Sequence, residues 1–71
     1  MTNTAELEGA IAKAGIRKKT IAAALSITET ALWSKINGRS EFKASEIKKI
    51  QDLLSLSDSF RDFIFFNVKR S

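Results

Sequence analysis

The stretch IAAALSITETALWSKING, residues 21–38, decides the fold. It predicts the end of one short helix, a tight turn, and a second short helix that stops at a glycine. Ala22 is small where two helices must cross closely, and Leu25, three residues on, is apolar. Ile27 fills the turn, and Leu32 begins the inward side of the next helix. This spacing is typical of a helix-turn-helix unit.

The rest of the chain is also predicted to be helical. Apolar residues recur at spacings of three and four, while alternation at period two is weak throughout. The 71 residues contain no proline, only three glycines, and neither an internal repeat nor a low-complexity linker. We therefore expect one compact all-α domain over residues 1–71, with the helix-turn-helix unit at about residues 18–37. The five predicted helices span residues 4–14, 18–25, 28–37, 44–54 and 58–66.

Capping residues and apolar stripes fix the predicted helix ends and core. Asn3, Thr28 and Ser57 are predicted to cap helices, and Gly15 to end the first helix in the left-handed conformation. The predicted core stripes are Leu7, Ile11 and Ala14, then Ile21, Ala22 and Leu25, then Leu32 and Ile36, then Ile47, Ile50, Leu53 and Leu54. Glu46, Lys48 and Lys49 fall off the last stripe and are predicted to be solvated.

The stretch FRDFIFF, residues 60–66, contains four of the five phenylalanines. A small helical domain needs bulky residues to close its core, so we predict that most of them are core, with Phe60 and Phe63 facing inward. The alternative is that part of this aromatic surface serves a dimer or a partner. The tail 69–71 is expected to fray.

The composition weighs against several classes of function. The chain has no cysteine, no histidine and no tyrosine, so the usual general base and thiolate nucleophile are missing. We expect neither an enzyme, nor a bound metal, nor a cofactor. The net charge of +4 and pI of about 9.8 suit a polyanion partner, although the excess is mild. Neither a membrane span nor a secretion signal is recognisable, which favours a cytoplasmic protein.

Four stretches carry a family resemblance: KKTIAAALSIT, LWSKINGRSEF, ASEIKKI and FIFF. Over roughly Leu7 to Phe66, the chain resembles the small Cro-like and repressor-like helix-turn-helix proteins of temperate phages in Gram-positive bacteria, with their lambda-repressor-like fold. Within that group it is also similar to the modulator-of-repression antirepressors of lactococcal phages. One departure is Ser26, where the family usually has glycine; the left-handed conformation costs serine about a kcal/mol or more.

The resemblance implies a recognition helix from Thr28 to Asn37, whose outward face would meet DNA or a protein partner. That face carries Thr28, Glu29, Thr30, Trp33, Ser34 and Asn37. The basic flank that would contact phosphates carries Lys18, Lys19, Lys35, Arg39 and Lys43. The run 17–19 has a plainer interpretation as solvated surface.

Two residues on the outward face, Glu29 and Trp33, indicate whether it would bind DNA or a protein. Glu29 would stabilise the start of its own helix, accept a hydrogen bond from a cytosine amino group, or pair with a basic residue of a protein. Trp33 lies about 100° around the helix from Leu32. It would pack locally against a neighbouring helix, touch a thymine methyl, or anchor a protein interface, where tryptophan is enriched.

Two functions follow from the resemblance and these residues. In the preferred one, the chain is an antirepressor in the lysis–lysogeny switch: it binds the phage repressor, at its DNA-binding domain, and blocks repressor–DNA binding. In the alternative, it is a Cro-like repressor that binds operator DNA as a homodimer. Both functions place it in the cytoplasm of the bacterial host.

Overall fold

Five helices joined by short loops enclose one apolar core. A computed structural model describes residues 1–68, and the expectation for the tail 69–71 lies outside them. The helices are α1 Thr4–Ala14, α2 Lys18–Leu25, α3 Glu29–Ile36, α4 Ala44–Leu54 and α5 Asp58–Phe66. No strand occurs within residues 1–68. The prediction of an all-α, five-helix domain is confirmed.

The helix starts lie where the capping residues predict them. The side chains of Asn3, Thr28 and Ser57 each accept a hydrogen bond from the backbone N–H three residues on, at 3.2, 3.0 and 3.1 Å. Each bond satisfies a backbone donor that has no partner within its own helix. The start of α3, on which the candidate site depends, is therefore fixed by Thr28.

Three of the first four helices end on a residue in the left-handed conformation. Gly15 ends α1 with φ of 69°, as predicted. Ser26 ends α2 with φ of 58° and ψ of 39°, and Ser55 ends α4 in the same region. The chain therefore makes the turn before α3 with serine, in the conformation that glycine adopts without strain.

The core draws on every helix and on the loop before α4. α1 packs against α3, α4 and α5, and α2 packs against α3 and α4. The buried apolar residues are Leu7, Ala10, Ile11, Ile21, Ala22, Leu25, Leu32, Ile36, Phe42, Ile47, Ile50, Leu54, Ile64 and Phe65. The prediction that Ala14 is core is wrong: Ala14 is exposed, and Ala10, one turn earlier, is buried in α1. Leu53 lies at the edge of the core.

Of the four phenylalanines of α5 only Phe65 is buried, so the prediction that most of them are core is wrong. Phe60 and Phe63 are both half-buried and stack on each other, with ring centroids 6.3 Å apart. The buried position belongs to Phe65, which meets Phe42 edge to face at 5.3 Å. The partner of Phe65 comes from a loop distant in sequence, which the spacing within α5 could not reveal. Phe66 remains 54% exposed.

Glu46 is buried, so the prediction that it is solvated is wrong. Its carboxylate accepts hydrogen bonds from the Lys43 backbone N–H at 2.8 Å and from the Lys35 ammonium at 2.9 Å. Both side chains of the ion pair are largely shielded from solvent. The pair fastens α3 to the start of α4, and its buried charges are tolerated because each has a hydrogen-bonded partner.

Candidate functional site on helix α3

A three-residue turn, 26–28, presents α3 on the surface of the domain. Ile27 is partly buried against the core, and its N–H donates to the Ala22 carbonyl at 3.0 Å. Leu32 and Ile36 are each 1% exposed, so they fix the inward side of α3. Two short helices packed across a tight turn are compatible with a helix-turn-helix unit, and they leave the opposite side of α3 open.

Each of the last four backbone carbonyls of α3 accepts a hydrogen bond. The last four carbonyls of an α-helix lack a partner within it. In α3, the carbonyls of residues 33–35 accept hydrogen bonds from backbone N–H groups of the following turn, 37–39. The carbonyl of Ile36 accepts a bond of 2.6 Å from the Thr4 hydroxyl of α1. With the Lys35–Glu46 ion pair, these bonds fix the position of α3 relative to two other helices.

Trp33 is half exposed on the outward side of α3. Its side chain is 49% accessible, although tryptophan is usually well buried. The Arg39 guanidinium lies over the ring, with Cζ 4.9 Å from the ring centroid, a distance at which a cation attracts the face of an indole. Local packing therefore accounts for only part of the ring surface.

A shallow depression of about 400 Å³ lies beside Trp33. It is lined by Lys18, Glu29, Thr30, Leu32 and Trp33. Glu29 is exposed, and within residues 1–68 its carboxylate has no ion-pair partner. An apolar wall next to an unpaired carboxylate is suited to an amphipathic or basic group of a partner.

The other residues predicted on this face are partly committed to α3 itself. Thr28, Thr30 and Asn37 are exposed, whereas Ser34 is half buried. The Thr28 hydroxyl caps α3, and the Asn37 side-chain amide donates to the Trp33 carbonyl at 2.9 Å. Glu29, Thr30 and Trp33 are therefore the residues of this face whose side chains are most available to a partner.

The basic flank has fewer unpaired cations than the sequence suggests. Lys35 is predicted to contact phosphates, but its ammonium is bound to Glu46 and to the Glu41 carbonyl, and its side chain is only 12% exposed. Lys18 pairs with Glu8 of α1 at 2.8 Å. The sequence does not reveal either carboxylate as a partner, because each lies on a different helix from its lysine, 10 and 11 residues away in the chain. Lys19, Arg39 and Lys43 remain exposed.

Comparison with protein-family models, with curated proteins and with solved structures gave no match. The resemblance to phage helix-turn-helix proteins therefore remains a prediction. Within residues 1–68, no helix has the length and apolar character to cross a membrane. Over the same residues, no cluster of acidic side chains is arranged to hold a metal ion.

The electrostatics beneath the site centre on Glu46. Burial raises the pKa of the Glu46 carboxyl, but the Lys43 N–H bond and the Lys35 ammonium outweigh that effect. Together they hold the pKa of Glu46 below its ordinary value of 4.5. The carboxylate is thus charged at neutral pH, and the ion pair that positions α3 is intact there.

Proposed function

We propose that this chain is an antirepressor that binds a phage repressor through the outward face of α3. The face would cover the DNA-binding domain of the repressor and block its binding to the operator, in the cytoplasm of the bacterial host. The chain would act by binding alone, without enzymatic activity or a cofactor. The observation that supports this proposal best is the half-exposed Trp33 next to the unpaired Glu29.

Trp33 supports a protein target because of how tryptophan contributes to binding. A large, rigid indole loses little conformational entropy when it is buried, and tryptophan is enriched among the residues that dominate protein interfaces. As a reader of DNA it offers one N–H donor and no bidentate contact with a base edge. An exposed tryptophan in the middle of α3 therefore favours a protein partner.

The charges around α3 support the same target. Glu29 would repel phosphates, and in DNA binding the attraction of phosphates supplies much of the affinity. Lys18 and Lys35 are already paired with carboxylates. A DNA-binding protein, by contrast, presents basic residues that an exposed carboxylate attracts.

The first test is capture of the repressor encoded by the same phage. Trp33→Ala should weaken capture about thirtyfold or more, as expected for an interface residue worth at least about 2 kcal/mol. It should also stop the protein from displacing the repressor from operator DNA. The measurements are co-purification, isothermal titration calorimetry and operator displacement.

Phe66→Ala is the matched control for Trp33→Ala. Phe66 is an aromatic side chain of similar exposure, 54%, at the end of α5. Its removal should leave capture unchanged, and circular dichroism should show that both variants remain helical. Unchanged capture by a folded Trp33→Ala variant would contradict the proposal.

A Cro-like operator-binding function is the second candidate. It is supported by the exposed Thr28 and Thr30 at the start of α3, where a recognition helix meets base edges, and by the exposed cations of Lys19 and Lys43. This function requires a homodimer to span two half-sites, so it predicts dimers in solution and specific binding of operator DNA by the isolated protein.

A further inference from the structure

We propose that the depression beside Trp33 is a socket for a single arginine side chain of the protein partner. This inference depends on the proposed function, because it names the group that the outward face of α3 would recognise. The socket consists of the five residues that line the depression: Lys18, Glu29, Thr30, Leu32 and Trp33.

The charge of the socket selects a cation. Two of its residues are charged, but the Lys18 ammonium is already paired with Glu8, 2.8 Å from its Oε1. Glu29 has no ion-pair partner within residues 1–68. The uncompensated charge lining the depression is therefore a single carboxylate, and a partner group gains most there if it is positive.

The walls of the socket favour arginine over lysine. A guanidinium can donate two parallel hydrogen bonds to a carboxylate while its flat face or its aliphatic stem lies on an indole. Lysine offers only a compact, strongly hydrated charge. Arg39 illustrates the compatibility, because its guanidinium already lies over the Trp33 ring, 4.9 Å from its centroid.

Nucleic acid suits this socket less well than an arginine does. A phosphate backbone presents only negative charge, which Glu29 would repel, and no nucleic-acid group combines a cation with an aliphatic stem. An arginine in the socket would therefore come from a protein partner. Glu29 is the socket residue that best distinguishes a protein from a nucleic acid, because it attracts a guanidinium and repels a phosphate.

The test uses Glu29→Gln, which removes the charge and nearly preserves the shape. Glu6→Gln makes the same change of net charge on α1. Glu6 lies about 200° around α1 from Glu8, the carboxylate that pairs with Lys18 of the socket. Like Glu29, it has no ion-pair partner within residues 1–68. Calorimetric titration with the repressor DNA-binding domain should give about tenfold weaker binding for Glu29→Gln and less than about twofold for Glu6→Gln.

Substitutions in the repressor domain would identify the arginine that binds in the socket. Each surface arginine of the repressor domain is changed to lysine and titrated against the wild type and Glu29→Gln. One of these changes should weaken binding of the wild type about tenfold and have little further effect on Glu29→Gln, because the two residues share one interaction.

The outcomes separate the socket from the proposed function. If the wild-type chain does not bind the repressor domain, both the proposed function and the socket fail. If the wild type binds but Glu29→Gln behaves like Glu6→Gln, or no arginine is coupled to Glu29, the socket is wrong and the proposed function stands.

Discussion

Ser26 shows how a single residue sets the approach to the candidate site. It adopts the left-handed conformation at the end of α2, where its N–H donates to the Ala23 carbonyl. The Cβ of an L-residue is crowded in this region, at a cost of about 1–2 kcal/mol. The turn before α3 therefore stores a small amount of strain that the packing of Ile27 and α3 must offset.

Replacing Ser26 with glycine should stabilise the domain. Relief of the strain exceeds the entropic cost of adding a glycine, which is about 0.5–1 kcal/mol. We expect a net gain of about 0.5–1 kcal/mol and a Tm rise of a few degrees, up to about 8 °C, measured by thermal unfolding.

Ser40→Gly is the control for Ser26→Gly. Ser40 is an exposed serine that is not among the residues with positive φ, so glycine there relieves no strain. Its Tm should stay the same or fall slightly. Equal behaviour of the two variants would show that the conformation of Ser26 is not strained.

The elements around α3 are joined by the buried Lys35–Glu46 ion pair. A buried pair contributes little compared with two apolar residues, but loss of one partner leaves an uncompensated charge. Because the pair joins α3 to the first turn of α4, it helps to hold the outward face of α3 in position. The loop before α4 adds the Lys43 N–H bond to the same carboxylate.

Glu46→Gln should therefore destabilise the fold. Glutamine can still accept the Lys43 N–H bond but leaves the Lys35 ammonium buried without a counter-charge, so we expect a loss of about 2–3 kcal/mol. Asp52→Asn is the matched control, because Asp52 pairs with Lys48 in the open at 3.4 Å. For that variant, urea unfolding should show a loss of less than about 0.5 kcal/mol in the free energy of unfolding. Equal losses would contradict a specific role for the buried pair.

The same pair predicts how stability depends on pH. The pKa of Glu46 is lower in the folded chain than its ordinary value of 4.5, so ionisation favours the folded state. This contribution is complete above pH 4.5 and is lost as the pH falls through the folded pKa. The stability difference between the wild type and Glu46→Gln, measured by urea unfolding, should be constant above pH 4.5 and shrink as the pH is lowered below it. A constant difference would contradict the assigned cause.

The sequence predicts features that depend on residues within one helix and misses those that depend on contacts between helices. Caps such as Thr28 and stripes such as Leu32 and Ile36 act within one helix, so the helix bounds and the inward side of α3 were predictable. Spacing within α4 places Glu46 in solvent, because it cannot show that Lys35 of another helix lies opposite. The outward position of Trp33 was predictable, whereas the Arg39 contact and the adjacent depression depend on tertiary geometry.

The whole molecule has a net charge of +4, but the charge is not concentrated on α3. Lys18, Lys35 and Lys48 are paired with carboxylates, and Arg61 is paired with Asp58 and Asp62. Net charge therefore overstates the attraction of this surface for phosphates, which depends on cations free to contact them.

We accordingly expect weak binding of operator DNA by the isolated protein. With about two or three phosphates neutralised, the logarithm of the binding constant should fall with the logarithm of salt concentration at a slope of about −2 to −3. Fluorescence anisotropy between about 50 and 200 mM salt measures this slope. Nanomolar, sequence-specific binding with a steep slope would favour the Cro-like function instead.

The hydrogen bond from Thr4 to the end of α3 has a kinetic consequence. Together with the Lys35–Glu46 pair, it holds α3 in place before any partner arrives. A surface ordered in advance loses little conformational freedom on association and needs no slow rearrangement. Substitutions on this face should then change the lifetime of a complex far more than its rate of formation.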